Sequence, residues 1–256
     1  MKFRRLGDSL WEMSKIPPGL QLFSIRNEIN KDFFGALKQV AEMGYRMVEF
    51  AGYGTIPSVE IKRTLSELGL QAVSSFFTLD DDLQQQIDYA TTLGIRYLVI
   101  SLPPQSFEHK EYQATVSLLT NIARLLKRRG MQLLYHPHDH EFEQLNGQSI
   151  LDRLLADVGT DLMQLEIDLY WARKAGLDPK STLLAYKGIV PLIHVKDMAP
   201  SGEMTEVGQG VIDWPSVFRV IKEAGVHYYF VEQDVSPHPM ASAQSSLNYL
   251  KSIGVA

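Results

Sequence analysis

One arrangement recurs along the chain and limits the folds open to it: an amphipathic segment ends at a glycine, one or two polar residues follow, and a short apolar run begins. It occurs at Gly44 (GYRMVEF), Gly69 (GLQAVSSF), Gly94 (GIRYLVIS), Gly130 (GMQLLYH), Gly188 (GIVPLIHV) and Gly225 (GVHYYFVE). Gly19 opens a comparable run (GLQLFSI) and Gly159 precedes DLMQLEIDLYW, which brings the strand candidates to eight. Glycine takes the left-handed conformation that ends a helix, and an almost wholly apolar strand suits a parallel sheet covered on both faces. The segments between show helical spacing, as in Phe34, Leu37, Val40 and Ala41, or Val116, Leu119, Ala123 and Leu126. Strand alternating with helix eight times predicts a closed (β/α)8 TIM barrel, with a doubly wound open sheet as the architectural competitor.

A chain of 256 residues that is 45% hydrophobic has the size and the apolar surface of one such barrel. No linker or low-complexity tract divides it, so residues 1–18 are expected to form a short N-terminal extension and residues 19–256 a single domain. A formal net charge of −5 gives no electrostatic reason for a polyanionic partner, which argues against nucleic acid. Cysteine is absent, which excludes disulfides, thiolate ligands and a cysteine nucleophile; a metal must sit on oxygen and imidazole. Near the N-terminus Asp8, Glu12 and Lys15 interrupt any run of signal-peptide length, and no stretch approaches the about 18 apolar residues that span a bilayer. A cytoplasmic protein without a membrane partner is expected.

In a barrel, chemistry gathers where strands end and the following loops begin. The fifth strand candidate ends in Tyr135-His136-Pro137-His138-Asp139-His140-Glu141-Phe142-Glu143, and alternation puts His136 and His138 on one side while the chain stays extended. The sixth, Leu165 to Trp171, embeds Glu166 and Asp168 in apolar sequence. A buried carboxylate needs a cation, and Asp168, nearer the C-terminal end, is the better ligand candidate. The seventh places His194 and Lys196 on the same side; an ammonium disfavours imidazolium, which predicts a neutral, metal-ligating His194. The eighth ends an aromatic run in Glu232, a ligand or an acid/base.

Strands five to eight therefore offer Glu141 or a nearby histidine, then Asp168, His194 and Glu232. Such a hard, mixed set suits Mn²⁺, Mg²⁺ or Co²⁺, with Zn²⁺ also accepted. Arg26 and Glu49, at the ends of the first two strand candidates, are placed to contact substrate hydroxyls or each other. Trp171, with Tyr170, can wall a sugar ring or simply pack. The glycine-bearing Glu206–Gly210 loop lies where barrels often hold phosphate but lacks the strand-to-helix setting of a nucleotide fingerprint. Asp213 before Trp214-Pro215 reads as a helix N-cap.

Nearly the whole chain after residue 18 resembles the xylose-isomerase-like TIM barrel superfamily of sugar phosphate isomerases and epimerases. That group also contains inosose dehydratases, hydroxypyruvate isomerases, dehydroshikimate dehydratases and apurinic endonucleases. The likeness is most specific in HVKDM (194–198), EVGQGVIDW (206–214) and FVEQD (230–234), and extends to LQLFSIR and GYRMVEFAG. It implies one divalent metal, Mn²⁺ first, held by Glu, Asp, His and Glu from successive strands, with Asp168, His194 and Glu232 matching the last three. Where many members end the fifth strand in Glu, this chain has Tyr135 and His136 and is similar to a subgroup with a His-x-His-Asp-x-Glu pattern. That subgroup implies Glu141 as first ligand, with His136 and His138 as substrate contacts or alternative ligands.

The expected chemistry is metal-assisted proton abstraction next to a carbonyl, through an enediolate, with Glu232 or Glu141 moving the proton and Lys196 adding positive charge. An isomerase or epimerase of a sugar, sugar phosphate or polyol-derived ketone is the first expectation. A lyase or dehydratase of inosose or 3-keto-glycoside type is the second, and a non-catalytic sugar-binding barrel the rival from another class. Barrels of this kind commonly associate, so a homo-oligomer accords with the sequence.

Overall fold

In the computed structural model, which describes residues 16–145 and 147–256, every apolar run supplies a strand. These are β1 (Gly19–Gln21), β2 (Met47–Phe50), β3 (Gln71–Phe76), β4 (Tyr97–Ile100), β5 (Gln132–Tyr135), β6 (Met163–Asp168), β7 (Leu192–Val195) and β8 (Tyr228–Val231). Each pairs in parallel with the next, and β8 closes on β1. Around them run α1 (Phe33–Met43), α2 (Ser58–Leu68), α3 (Leu83–Leu93), α4 (Tyr112–Arg128), α5 (Ile150–Val158), α6 (Pro179–Ala185), α7 (Trp214–Ala224) and α8 (Pro239–Ser252). The closed (β/α)8 barrel is therefore the architecture, and the open sheet is not. The recurrent glycine has the expected cause: α1, α2, α3 and α7 stop at Gly44, Gly69, Gly94 and Gly225, all left-handed. Asp213 caps α7 by accepting from the Ser216 amide, with Pro215 in the first turn.

Side chains alternate in and out along each strand, so the barrel interior is built in layers. The lower layer is apolar: Met47, Val73, Val99, Leu134, Leu192 and Phe230 pack together inside the barrel. Two residues further along the chain, four of these six give way to ionisable groups. Glu49 follows Met47, His136 follows Leu134, His194 follows Leu192 and Glu232 follows Phe230, all of them buried. One more step on β6 and β7 brings Asp168 and Lys196. The strand alternation that builds the core thus also stacks the charged residues above it.

The first strand is shorter than its sequence suggests. Gln21 accepts from the Phe23 amide at 2.9 Å and starts a 3-10 turn at Leu22–Ile25, which leads into a short helix at Arg26–Lys31. At Gly19 a Cβ would lie 2.5 Å from the Phe230 ring, so glycine there makes room for the largest side chain of the apolar layer. Of the expected extension, residues 1–15 lie outside the described residues, and Ile16 packs against the apolar layer. Among the described residues no helix is long and apolar enough to cross a membrane.

Candidate metal centre

Asp168 ends β6 and begins the helix Leu169–Lys174 in one step. Its Oδ1 accepts from the amides of Tyr170, at 2.8 Å, and Trp171, at 3.4 Å, which leaves Oδ2 turned into the barrel mouth. Beside it on β7, His194 places Nδ1 4.0 Å from that oxygen and 2.8 Å from Glu232 Oε2 at the end of β8. These three atoms, Asp168 Oδ2, His194 Nδ1 and Glu232 Oε2, are buried and make no aligned hydrogen bond, although charges lie close to each. Ligands at about 2.0–2.2 Å from one ion stand about 2.8–3.6 Å apart when adjacent and about 4.0–4.4 Å apart when opposite in tetrahedral or octahedral arrangements, and both distances given fall within those limits. The donor set fits a divalent cation: buried, mixed oxygen and nitrogen, and outside any aligned hydrogen bond.

Lys196 supplies the positive charge already present. Its Nζ lies 2.9 Å from Asp168 Oδ2, 2.7 Å from Glu232 Oε2 and 3.1 Å from Asp234 Oδ2. Burial would lower the ammonium's pKa, but these three carboxylates outweigh it and keep the group charged. Burial likewise would raise Glu232, and Lys196 with His194 holds it well below the ordinary carboxylate range. Asp234, which sequence reasoning passed over, is pushed up to about 6 by burial and by Glu232, with Lys196 opposing. Two carboxylates two residues apart thus have opposite proton affinities.

The other nitrogen of His194 explains its orientation. Nε2 is 2.6 Å from Glu49 Oε1, and Glu49 also accepts from Gln21 Nε2 at 2.7 Å and Ser74 Oγ at 2.5 Å. A carboxylate that receives these donors acts as an acceptor, so Nε2 carries its proton toward Glu49 and Nδ1 faces Asp168 and Glu232. Lys196 does not keep this ring neutral, as the sequence suggested. Burial disfavours imidazolium, but Glu166, Glu232 and Glu49 together raise the His194 pKa well above its usual value. The proton on Nδ1, which faces Glu232 and Asp168, is the one a metal would displace.

Below lies a second buried group. His136 Nδ1 and His194 Nε2 are each 3.4 Å from Glu166 Oε2, yet neither Glu166 oxygen has a hydrogen-bond partner. Burial and the neighbouring Glu49 raise the Glu166 pKa well above the usual value, while burial and His194 hold His136 well below, as a neutral ring. Glu141 belongs to a different group, with His138 and His140. It accepts from Tyr135 Oη at 2.5 Å and from the His138 amide at 2.9 Å, and burial lifts its pKa to about 7.

At the mouth, the Trp171 ring stands edge-on to His138 at 5.0 Å and its centroid is 5.8 Å from Lys196 Nζ. Arg26 stays on its own turn, bonding the Phe23 carbonyl at 2.9 Å and stacking on that ring, and does not meet Glu49. The Glu206–Gly210 loop is held from inside. Asp197 is fully buried and accepts from the amides of Met198, Gly208, Gly210 and Ile212 and from Trp214 Nε1 at 2.7 Å. A Cβ on Gly210 would come within 2.2 Å of that carboxylate. Gly210 therefore serves close approach to Asp197 and Gly208 leaves room for the Tyr249 ring, and the amides of both are spent on Asp197.

A family model described as the xylose isomerase-like TIM barrel matches residues 37–253. Inosose dehydratase of Geobacillus kaustophilus is 22% identical over 263 aligned residues, which cover 84% of this chain and 85% of the relative. Among solved structures, a sugar phosphate isomerase/epimerase from Parabacteroides distasonis superposes with a TM-score of 0.80 at 21% identity, covering 98% of this chain and 99% of that one. The IOLI protein with a bound zinc atom superposes with a TM-score of 0.73 at 16% identity, covering 93% and 98%.

Proposed function

The chain belongs to the xylose isomerase-like TIM barrel family, and from that premise we propose that it is a divalent-metal-dependent enzyme that enolises a polyhydroxy ketone and expels water from it. The observation that carries this reading is the set of three buried ligand atoms on Asp168, His194 and Glu232, none in an aligned hydrogen bond, with the Lys196 ammonium ion-paired to the two carboxylates. Mn²⁺ is the proposed ion, and the same set accepts Mg²⁺, Co²⁺ or Zn²⁺. Held by those three residues, such an ion would supply Lewis-acid polarisation of a carbonyl oxygen.

The chain's own residues divide the remaining work. Glu232, held ionised by Lys196 and His194, takes the proton from the carbon next to the carbonyl. Lys196 stands by with fixed positive charge where the oxyanion grows. Asp234, with its pKa near 6, gives a proton to the β-hydroxyl as that C–O bond breaks, and the electron pair of the broken C–H bond becomes the double bond of an unsaturated ketone. Water leaves, and no external oxidant or reductant is required. His138 and Trp171 line the approach and are assigned contact with the ring or chain of the substrate. Glu49 and His136 act through His194 and the deep layer in this reading, and Arg26 has no part.

Elimination is preferred over epimerisation because epimerisation needs a second base across the substrate carbon. Glu141, the sequence-based candidate, is tied to Tyr135 and grouped with His138 and His140. Isomerisation or epimerisation is the second reading, and the pKa near 7 of that same Glu141 is what favours it, since such a group both accepts and returns a proton at neutral pH. The deciding experiment incubates the Mn²⁺-loaded protein in D₂O with an inosose, a ketose and a 3-keto-glycoside and follows each by NMR. Loss of water from one of them, absent in Glu232→Gln, is the expected result. Deuterium exchange or a rearranged sugar without loss of water selects the second reading, and no turnover of any of them rejects both.

A further inference from the structure

We infer that the loop after β5 carries a second, zinc-preferring metal site formed by His138, His140 and Glu141, separate from the centre at Asp168, His194 and Glu232. One ligand atom from each of the three lies within 4.8 Å of the other two. His140 Nε2 and Glu141 Oε2 are 3.2 Å apart, already near the about 3.4 Å that tetrahedral zinc ligands keep, and a turn of the His138 ring closes the third side.

The pair is not simply a histidine–carboxylate hydrogen bond. Despite that distance, His140 Nε2 is a buried atom without an aligned hydrogen-bond partner, so the two groups converge on a point instead of on each other. Among the described residues the His138 ring makes no hydrogen bond either, and it lies parallel to the His140 ring, 9° between planes and 6.1 Å between centroids. Glu141 is held in place from behind. Tyr135 Oη bonds one oxygen and the His138 amide the other, the kind of outer support that orients a metal-ligating carboxylate. His138 and His140 are half-buried, which leaves a path for an ion from solvent, while Glu141 is fully covered.

Donor chemistry separates the two sites. Two imidazoles and one carboxylate make the softer, three-ligand set with an open position that zinc favours, whereas two carboxylates and one imidazole make the harder set that manganese accepts. The two ligand sets have no residue in common, so counting metal separates them, while His138 is also assigned to substrate contact and Glu141 carries the second reading of the reaction.

The test is equilibrium dialysis of the chelator-stripped protein against ZnCl₂ and, separately, MnCl₂, with metal counted by elemental analysis. The expected result is two zinc and one manganese per chain in the wild type, one zinc in His140→Ala, and one zinc but no manganese in Asp168→Ala. His140→Gln, which keeps size and polarity, is expected to behave as His140→Ala does and guards against a folding defect. One zinc in the wild type, or two zinc in both His140 variants, overturns the inference. Loss of neither metal in Asp168→Ala strikes the other centre and leaves this one standing.

Discussion

Two neighbouring layers of the barrel interior are built on the same strands and differ in everything else. Met47, Leu134, Leu192 and Phe230 lie in the lower layer; Glu49, His136, His194 and Glu232 follow two residues later in the upper one. The lower layer is ordinary core, in which each side chain is stabilised by leaving water. The upper layer removes from water the groups that most resist it, and three of its atoms, His136 Nδ1, His194 Nδ1 and Glu232 Oε2, have no aligned partner. Damage to the lower layer is therefore expected to appear as lost stability, and damage to the upper one as lost metal or turnover.

The largest expected effect is in the upper layer. Glu232→Gln should lower turnover by about 10⁴-fold while leaving the fold intact by circular dichroism, because it removes both a ligand and the ionised base. The reverse pattern is expected below. Phe230→Ala should cost about 4 kcal/mol in denaturant unfolding and leave Mn²⁺ affinity unchanged. A matched loss in both measurements for either variant would break the division between layers.

The next effect is on pH dependence, at the β5 loop. Glu141 has its pKa raised from an ordinary 4.5 to about 7 by burial, so the folded chain holds that proton more tightly than the unfolded one. Its contribution to stability is thus complete below pH 4.5, declines as pH rises through the interval up to about 7, and is gone above it. With metal chelated, the wild type should lose on the order of 3 kcal/mol between pH 4.5 and pH 8 relative to Glu141→Gln. A flat difference between the two proteins would show that the carboxyl is not buried as described.

Smaller effects sharpen the contrast within the upper layer itself. Glu49→Gln should weaken Mn²⁺ binding by about 10–100-fold, since it disturbs the acceptor that keeps the Nε2 proton of His194 in place, and ¹⁵N chemical shifts of the ring should report a changed tautomer. Glu166→Met should be neutral or raise stability by about 1 kcal/mol, because both Glu166 oxygens are buried and neither is in an aligned hydrogen bond, with His136 and His194 at 3.4 Å. Equal behaviour of these two glutamates would mean that their environments do not differ as their hydrogen bonds indicate.

How much of this was legible in the sequence follows from the same layering. The barrel was readable because every strand is announced by a glycine and made almost wholly of apolar residues. Asp168, His194, Lys196 and Glu232 were readable because an ionisable residue in such a run has to be accounted for. Glu141 was named as well, but its grouping with His138 and His140 was not legible, since alternation stops where β5 ends and a 3-10 turn at His140–Phe142 redirects the side chains. Arg26 failed for a similar reason: β1 lasts only three residues before the chain curls. Glu49 stood out in sequence, but its part in orienting His194 depends on Gln21 and Ser74 from the flanking strands. The raised Asp234 depends on Glu232 and Lys196 meeting beside it, a tertiary fact without a local signal.

The central claim is tested most directly by calorimetric titration of MnCl₂ into the chelator-stripped protein, with Asp168→Ala in parallel. One manganese ion per wild-type chain and no measurable binding in the variant is the predicted result. Unchanged stoichiometry and affinity in Asp168→Ala would contradict it.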